Sequence, residues 1–172
     1  RQEKDRSGSP RLMEKLMTTL TEGSKAPVFP MPTDSGGSAS TESLSGKAVV
    51  LYFYPKADTP GCTNEAKDFT ALMSEFESLN AVVIGVSKDP VRKLEKFKAK
   101  YDLAVTLASD EQSGVCEAFG TWVEKSMYGK TYWGIQRATF LIDGKGIIRR
   151  IWPKVSVKGH AADVLEAVKR SD

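Results

Sequence analysis

From residue 48 onward the hydrophobic positions fall into blocks of two kinds. Ala48-Val49-Val50-Leu51-Tyr52-Phe53-Tyr54 is an unbroken apolar run rich in β-formers, and Pro55 ends it. That pattern predicts a buried central strand over 48–54. Within 62–79, Ala66, Phe69, Leu72, Met73, Phe76 and Leu79 recur at three- and four-residue spacing, which predicts one amphipathic helix. Residues 81–87 read as a second buried strand. A strand, a helix and a strand in so short a span make a βαβ unit, so the two strands should run parallel.

The pattern continues downstream. Val91, Leu94, Phe97 and Tyr101 share a face of a second helix opened by Pro90, with Asp89 before it as a fitting cap. Residues 105–108 read as a short strand and 111–119 as a short helix. Residues 121–136 read as a loop rich in aromatic rings. Residues 136–142 and 147–152 alternate like strands on either side of Asp143-Gly144-Lys145-Gly146, which predicts a hairpin. Residues 158–170 close the chain as a helix, with His160 on an exposed turn. The sum is an α/β fold: a mixed central sheet with helices on both faces. Upstream, the Gly- and Ser-rich stretch 35–45 reads as a loop or hairpin connection. Leu12, Leu16 and Leu20 allow a short helix in what is otherwise a polar N-terminal tail, set at residues 1–22.

Composition narrows the picture. The chain has 172 residues, enough for one domain, here assigned to 23–172. Hydrophobic residues are 40% and the formal net charge is +3, spread evenly, which argues against nucleic acid or an anionic membrane as partner. No apolar run is long enough to predict a membrane-spanning helix. With only Cys62 and Cys116, a disulfide scaffold is excluded, and with His160 as the one histidine a closed zinc site is not expected. Sparse thiols and the lack of a secretory signal point to the cytoplasm, while the initial Arg leaves room for a removed targeting segment. There is no G-x-G-x-x-G and no complete P-loop to hold a nucleotide.

The chemistry concentrates in residues 55–63, between the first buried strand and the first helix. Ligands of open α/β sheets bind at the carboxyl ends of strands. Thr59 fits the N-cap and Pro60 the first helical position, so Cys62 falls in the first turn. Unpaired N–H groups and the positive end of the helix dipole favour a thiolate there. Gly61 before Cys62, and Thr63 and Asn64 after it, suggest an exposed helix start rather than a core cysteine.

Pro55-x-x-x-Thr59-x-x-Cys62 resembles the active-site pattern of the peroxiredoxins. The longer run Phe53-Tyr54-Pro55-Lys56, then Thr59-Pro60-Gly61-Cys62-Thr63-x-Glu65, resembles the peroxiredoxin Q, or bacterioferritin comigratory protein, subgroup. Further matches are Gly23-x-x-Ala26-Pro27-x-Phe29, Leu44-x-Gly46-Lys47, Gly85-Val86-Ser87, Trp122-x-Glu124-Lys125, Tyr128-Gly129-Lys130, Gly134-Ile135-x-Arg137-x-Thr139-Phe140-Leu141-Ile142-Asp143 and Val157-Lys158-Gly159-His160. The resemblance implies a thioredoxin-like fold without cofactor, acting on hydrogen peroxide and organic hydroperoxides through a cysteine sulfenic acid. Cys62 would be the peroxidatic residue, Thr59 would hydrogen-bond the peroxide and Pro55 would shield the site. Arg137 would stabilise the thiolate and polarise the peroxide. Glu65, one turn after Cys62, is expected to pair with Arg137 or another donor, since alone it would oppose a thiolate.

Many members of the subgroup place a resolving cysteine where this chain has Lys67, or in the next helix near Lys98. Two routes of reduction therefore remain. Cys116 resolves the sulfenic acid, or an external thiol does so: a thioredoxin, a glutaredoxin or a small-molecule thiol. Cys116 is read as a core residue, which favours the one-cysteine route. The subgroup suggests a monomer. The competing readings are a thioredoxin-fold thiol transferase, disfavoured by the lack of Cys-x-x-Cys, and a non-enzymatic binding or holdase module. The rings of Trp122, Tyr128, Tyr132 and Trp133 either flank the active-site mouth or close a satellite core.

Overall fold

A computed structural model describes residues 20–171 except Phe29 and Thr41. The expected short helix through Leu12 and Leu16, most of the N-terminal tail, and Phe29 of the opening motif lie outside the described residues.

A five-stranded sheet carries the molecule, in the order β5 (Thr106–Ser109), β4 (Ala81–Ser87), β3 (Ala48–Phe53), β8 (Ala138–Ile142), β9 (Ile148–Trp152). Its centre is β3, flanked by β4 in parallel and β8 antiparallel. Strand β5 extends the parallel side and β9 the antiparallel side. The apolar run of β3 is buried on both faces because alternate residues serve two cores. Val50 and Tyr52 point into one, Val49, Leu51 and Phe53 into the other. The first core is roofed by α1 (Pro60–Ala71), α2 (Met73–Ser78), α3 (Val91–Tyr101) and α5 (His160–Arg170). The second is covered by the short α4 (Val115–Ala118) and by β1 (Met31–Pro32) and β2 (Ser38–Ala39), which pair across the Gly/Ser-rich turn.

Four local expectations are corrected. The single helix over 62–79 is two: Leu72 leaves helical geometry (φ −106°, ψ 7°), and the chain restarts at Met73. The break lets Phe69 and Phe76, both fully buried, meet at 6.0 Å between ring centroids over the same core. Residues 111–119 hold only the one-turn α4, because the Asp110 carboxylate accepts the N–H groups of Val115 and Cys116 and fixes its start. Asp89 does not cap α3, whose N-cap is Pro90.

The fourth correction concerns 121–136, which is not a loop. It forms a hairpin of β6 (Trp122–Met127) and β7 (Lys130–Ile135), paired antiparallel over six residues and outside the main sheet. Its tip, Tyr128-Gly129, has φ of 53° and 78°, the positive values that a twist-matched two-residue turn requires. Tyrosine is an unusual residue there, and so the turn left no familiar signal in the sequence. Tyr128, Tyr132 and Trp133 are exposed, so they close no satellite core, and only Trp122 packs inward. Lys88 lies over the Trp122 ring at 4.9 Å.

Candidate active site

Tyr54 ends the β3 run, and residues 55–59 lead from it to the first turn of α1. The carboxylate of Asp89, at the end of β4, accepts the Ala57 N–H and the Ser87 hydroxyl, each at 2.8 Å. Asp58, at φ 62°, accepts the Tyr101 hydroxyl at 2.6 Å and pairs with Lys100 at 2.9 Å. The connection is thus tied at two successive residues to the region around α3. Thr59 is the N-cap by backbone geometry, with its carbonyl accepting the Thr63 N–H, and Pro60 follows in the first turn. Its hydroxyl does not cap the helix: it donates to the Lys56 carbonyl at 2.8 Å. Pro55 stands exposed.

Cys62 lies in the first turn of α1, as the spacing predicted, but it is not exposed. Only 2% of it reaches solvent, and it packs in the first core. The helix turns Asn64, Lys67 and Asp68 outward and Cys62, Glu65, Ala66 and Phe69 toward the sheet. Of the flanking residues that suggested exposure only Asn64 is exposed: Thr63 is itself buried, and Gly61 is half-buried against the Arg137 guanidinium.

Arg137 reaches this sulfur from the opposite direction. Strand β8 runs antiparallel to β3, so its first residue, Ala138, pairs with Phe53, the last of β3. The residue before β8 therefore sits where α1 begins. The guanidinium divides its donors: Nη1 bonds Glu65 Oε1 at 2.7 Å and Nη2 lies 3.5 Å from Cys62 Sγ. It passes so close to Gly61 that a Cβ there would stand 3.2 Å from Nη2. Glycine is the residue that leaves the fork room.

The electrostatics are those of a desolvated ion pair. Burial pushes the Glu65 carboxyl up to about 7 against the pull of Arg137. Glu65 is 1% exposed and its Oε2 lacks a hydrogen-bond partner among the described residues, so the carboxylate has its expected partner, Arg137, on one oxygen only. Burial also works against the charge on Arg137, but Glu65 and Cys62 outweigh it and hold the guanidinium above its ordinary value.

The other predicted thiol is elsewhere. Cys116 is fully buried in the second core, on the far face of the sheet from Cys62. Burial, then the neighbouring Asp110, push its thiol well above the ordinary range. His160 is not on an exposed turn. It is 5% exposed, with Nε2 2.8 Å from the Thr139 hydroxyl and its ring edge-on to Phe69 and Trp152. It begins the inward face of α5, which continues through Ala161, Val164 and Val168.

Sequence reasoning read Asp89 only as a helix cap and gave no role at the site to Asp58 or Lys125. Their partners are 32, 43 and 10 residues away in the chain, so no local pattern could show them.

Known proteins resemble this chain in sequence and fold. Residues 23–151 match the AhpC/TSA family. A protein of Coxiella burnetii called putative peroxiredoxin bcp is 52% identical over 147 residues, which cover 86% of this chain and 97% of that one. Peroxiredoxin Bcp of Bacillus subtilis is 45% identical over 151 residues, covering 88% of this chain and 96% of that one. Among solved structures, a Cys-to-Ser variant of Xanthomonas campestris peroxiredoxin Q superposes with a TM-score of 0.80 at 43% identity, covering 83% of this chain and 91% of that chain. The thioredoxin-like fold expected from the resemblance is borne out by these neighbours, and the chain belongs to the AhpC/TSA family, within its peroxiredoxin Q or Bcp group of thiol-dependent peroxidases.

Proposed function

We propose that this enzyme reduces hydrogen peroxide and organic hydroperoxides at Cys62, by a one-cysteine cycle completed by an external thiol. The observation that carries the reading is the Arg137 fork, which holds Glu65 with one nitrogen and faces the Cys62 sulfur with the other. The Cys62 thiolate attacks the terminal peroxide oxygen. An S–O bond forms, the O–O bond breaks, and the alcohol or water leaves after taking up a proton. Arg137 Nη2 is placed to donate to the oxygen that carries the developing charge. The Thr59 hydroxyl spends its proton on the Lys56 carbonyl, so its lone pairs are free to accept the peroxide O–H. Pro55 shields the connection from the solvent side, and Glu65 holds the guanidinium in register. A structure of the Xanthomonas campestris relative is described as giving insight into its alkyl peroxide reduction activity, which favours organic hydroperoxides as substrates here.

The product is a sulfenic acid, which a second thiol must reduce. Cys116 is poorly suited, since the sheet separates it from Cys62 and a disulfide needs Cα atoms within about 7 Å. A thioredoxin, a glutaredoxin or a small-molecule thiol is the proposed reductant, in a reducing compartment such as the cytoplasm. The catalytic unit is taken as a monomer of residues 23–172, whose first residue already bonds the sheet through Gly23 N–H to Ile148 O at 2.7 Å.

The test is peroxide consumption with dithiothreitol as reductant. Cys62→Ser is expected to abolish the fast stoichiometric reaction, and Cys116→Ser to keep turnover with a thioredoxin system. Equal, slow consumption by wild type and Cys62→Ser would overturn the assignment of Cys62. Loss of thioredoxin-driven turnover in Cys116→Ser, with the single turnover intact, would overturn the one-cysteine cycle.

A further inference from the structure

Lys125 is a cation at the active-site rim with no part in the chemistry described so far. It stands mid-way along β6, opposite Tyr132, and its stem crosses the strand pair over Gly134, where a Cβ would meet Lys125 Cδ at 3.4 Å. Its ammonium ends on the carbonyl of Ile135 at 2.6 Å. Ile135 is the last residue of β7 and lies two residues before Arg137. Other bonds also hold this crossover: the Gln136 N–H to Thr121 O at 2.7 Å, the Val155 N–H to Arg137 O at 3.0 Å and the Gln136 side-chain amide to Arg137 O at 3.2 Å.

The position is a costly one for a lysine. Burial, and then the Arg137 guanidinium, hold its ammonium below the ordinary value, while the Cys62 sulfur works the other way. Lys125 and Arg137, two cations near one another, repel, and a neutral donor could reach the same carbonyl without that repulsion. Of the hairpin's residues only Trp122 and Ile135 pack against the core cluster.

We propose that Lys125 is a positioning residue of the peroxidatic site: by tying the Ile135 carbonyl with a charged donor, it fixes the end of β7 from which Arg137 reaches Cys62 and Glu65. The role rests on the reading of Cys62 and Arg137 given above. Lys125 acts through Arg137, so removing it lets the fork drift from the sulfur.

The experiment is stopped-flow oxidation of the reduced protein by hydrogen peroxide in a single turnover. Lys125→Met is expected to lower the second-order rate constant five- to tenfold with an unchanged unfolding midpoint. Lys125→Arg, which keeps charge and donor, is expected to return it to within twofold of wild type. In an Arg137→Met background, Lys125→Met is expected to add less than a twofold loss, because the group it positions is gone. A wild-type rate for Lys125→Met, the same fold-loss in both backgrounds, or no recovery with Arg would each overturn the proposal. Cys62→Ser in the same assay separates these outcomes from failure of the Cys62 assignment, which would show as a fast phase that survives Cys62→Ser or as none in wild type.

Discussion

At the scale of single residues, the site depends on one guanidinium serving two partners. An arginine can do this because its planar fork keeps two donors at fixed separation, whereas a lysine is a point charge. Arg137→Met is expected to slow Cys62 oxidation by about two to three orders of magnitude, the usual cost of losing a donor at a developing charge. Arg137→Lys should recover only part of it. A single-turnover rate in Arg137→Lys equal to wild type would show that charge alone suffices. The resemblance singled out Cys62, Thr59, Pro55, Glu65 and Arg137 as candidates, and the structure brings Cys62, Glu65 and Arg137 together. Their exposure was not legible in the sequence: Thr63 and Asn64 made Cys62 look like a surface residue, yet Thr63 is buried as well and only Asn64 faces solvent.

At the scale of elements, the βαβ unit and the closing hairpin followed from hydrophobic period alone, because strands buried on both faces and helices buried on one leave distinct repeats. The break at Leu72 escaped, since a three- and four-residue repeat continues through a kink that preserves the buried face. Asp89 is a second case. Next to Pro90 it looked like a helix cap, but its carboxylate instead joins β4 to the 55–59 connection through Ala57 and Ser87. Asp89→Ala leaves both donors without their acceptor and is expected to lower stability by about 1–3 kcal/mol. Urea unfolding would measure the loss, and hydrogen exchange should show it concentrated at residues 55–59. An unchanged exchange rate there would mean that Asp58, with Tyr101 and Lys100, holds the connection alone.

For the molecule as a whole, two buried titrating groups set opposite pH dependences. Glu65 titrates at about 7 in the fold against 4.5 when free, so the native state keeps a proton that the unfolded chain has released. Its contribution to stability is full below pH 4.5 and is lost as pH rises through 7. His160 behaves in reverse. Burial lowers it to about 4 from 6.5, so its contribution is full above pH 6.5 and is lost as pH falls through 4. Each amounts to roughly 3 kcal/mol over its window, so the two offset one another in the wild type. Glu65→Gln should expose a stability that rises between pH 4 and 6.5, and His160→Gln one that falls between pH 4.5 and 7. Urea midpoints taken at steps of pH would test this, and parallel curves for all three proteins would refute it.

The chain alone determined the α/β class, the order of the main elements and the placing of a cysteine at a helix start after a buried strand. Those are consequences of local period and turn chemistry, which need no knowledge of distant partners. Tertiary structure decided the rest. It brought Arg137 to Cys62 across 75 residues, buried Glu65 and His160, put the two cysteines on opposite faces of the sheet, and carried Lys125 to the root of the arginine strand. Each of these depends on which strand ends meet in the sheet, and strand pairing is settled by packing between segments far apart in the chain.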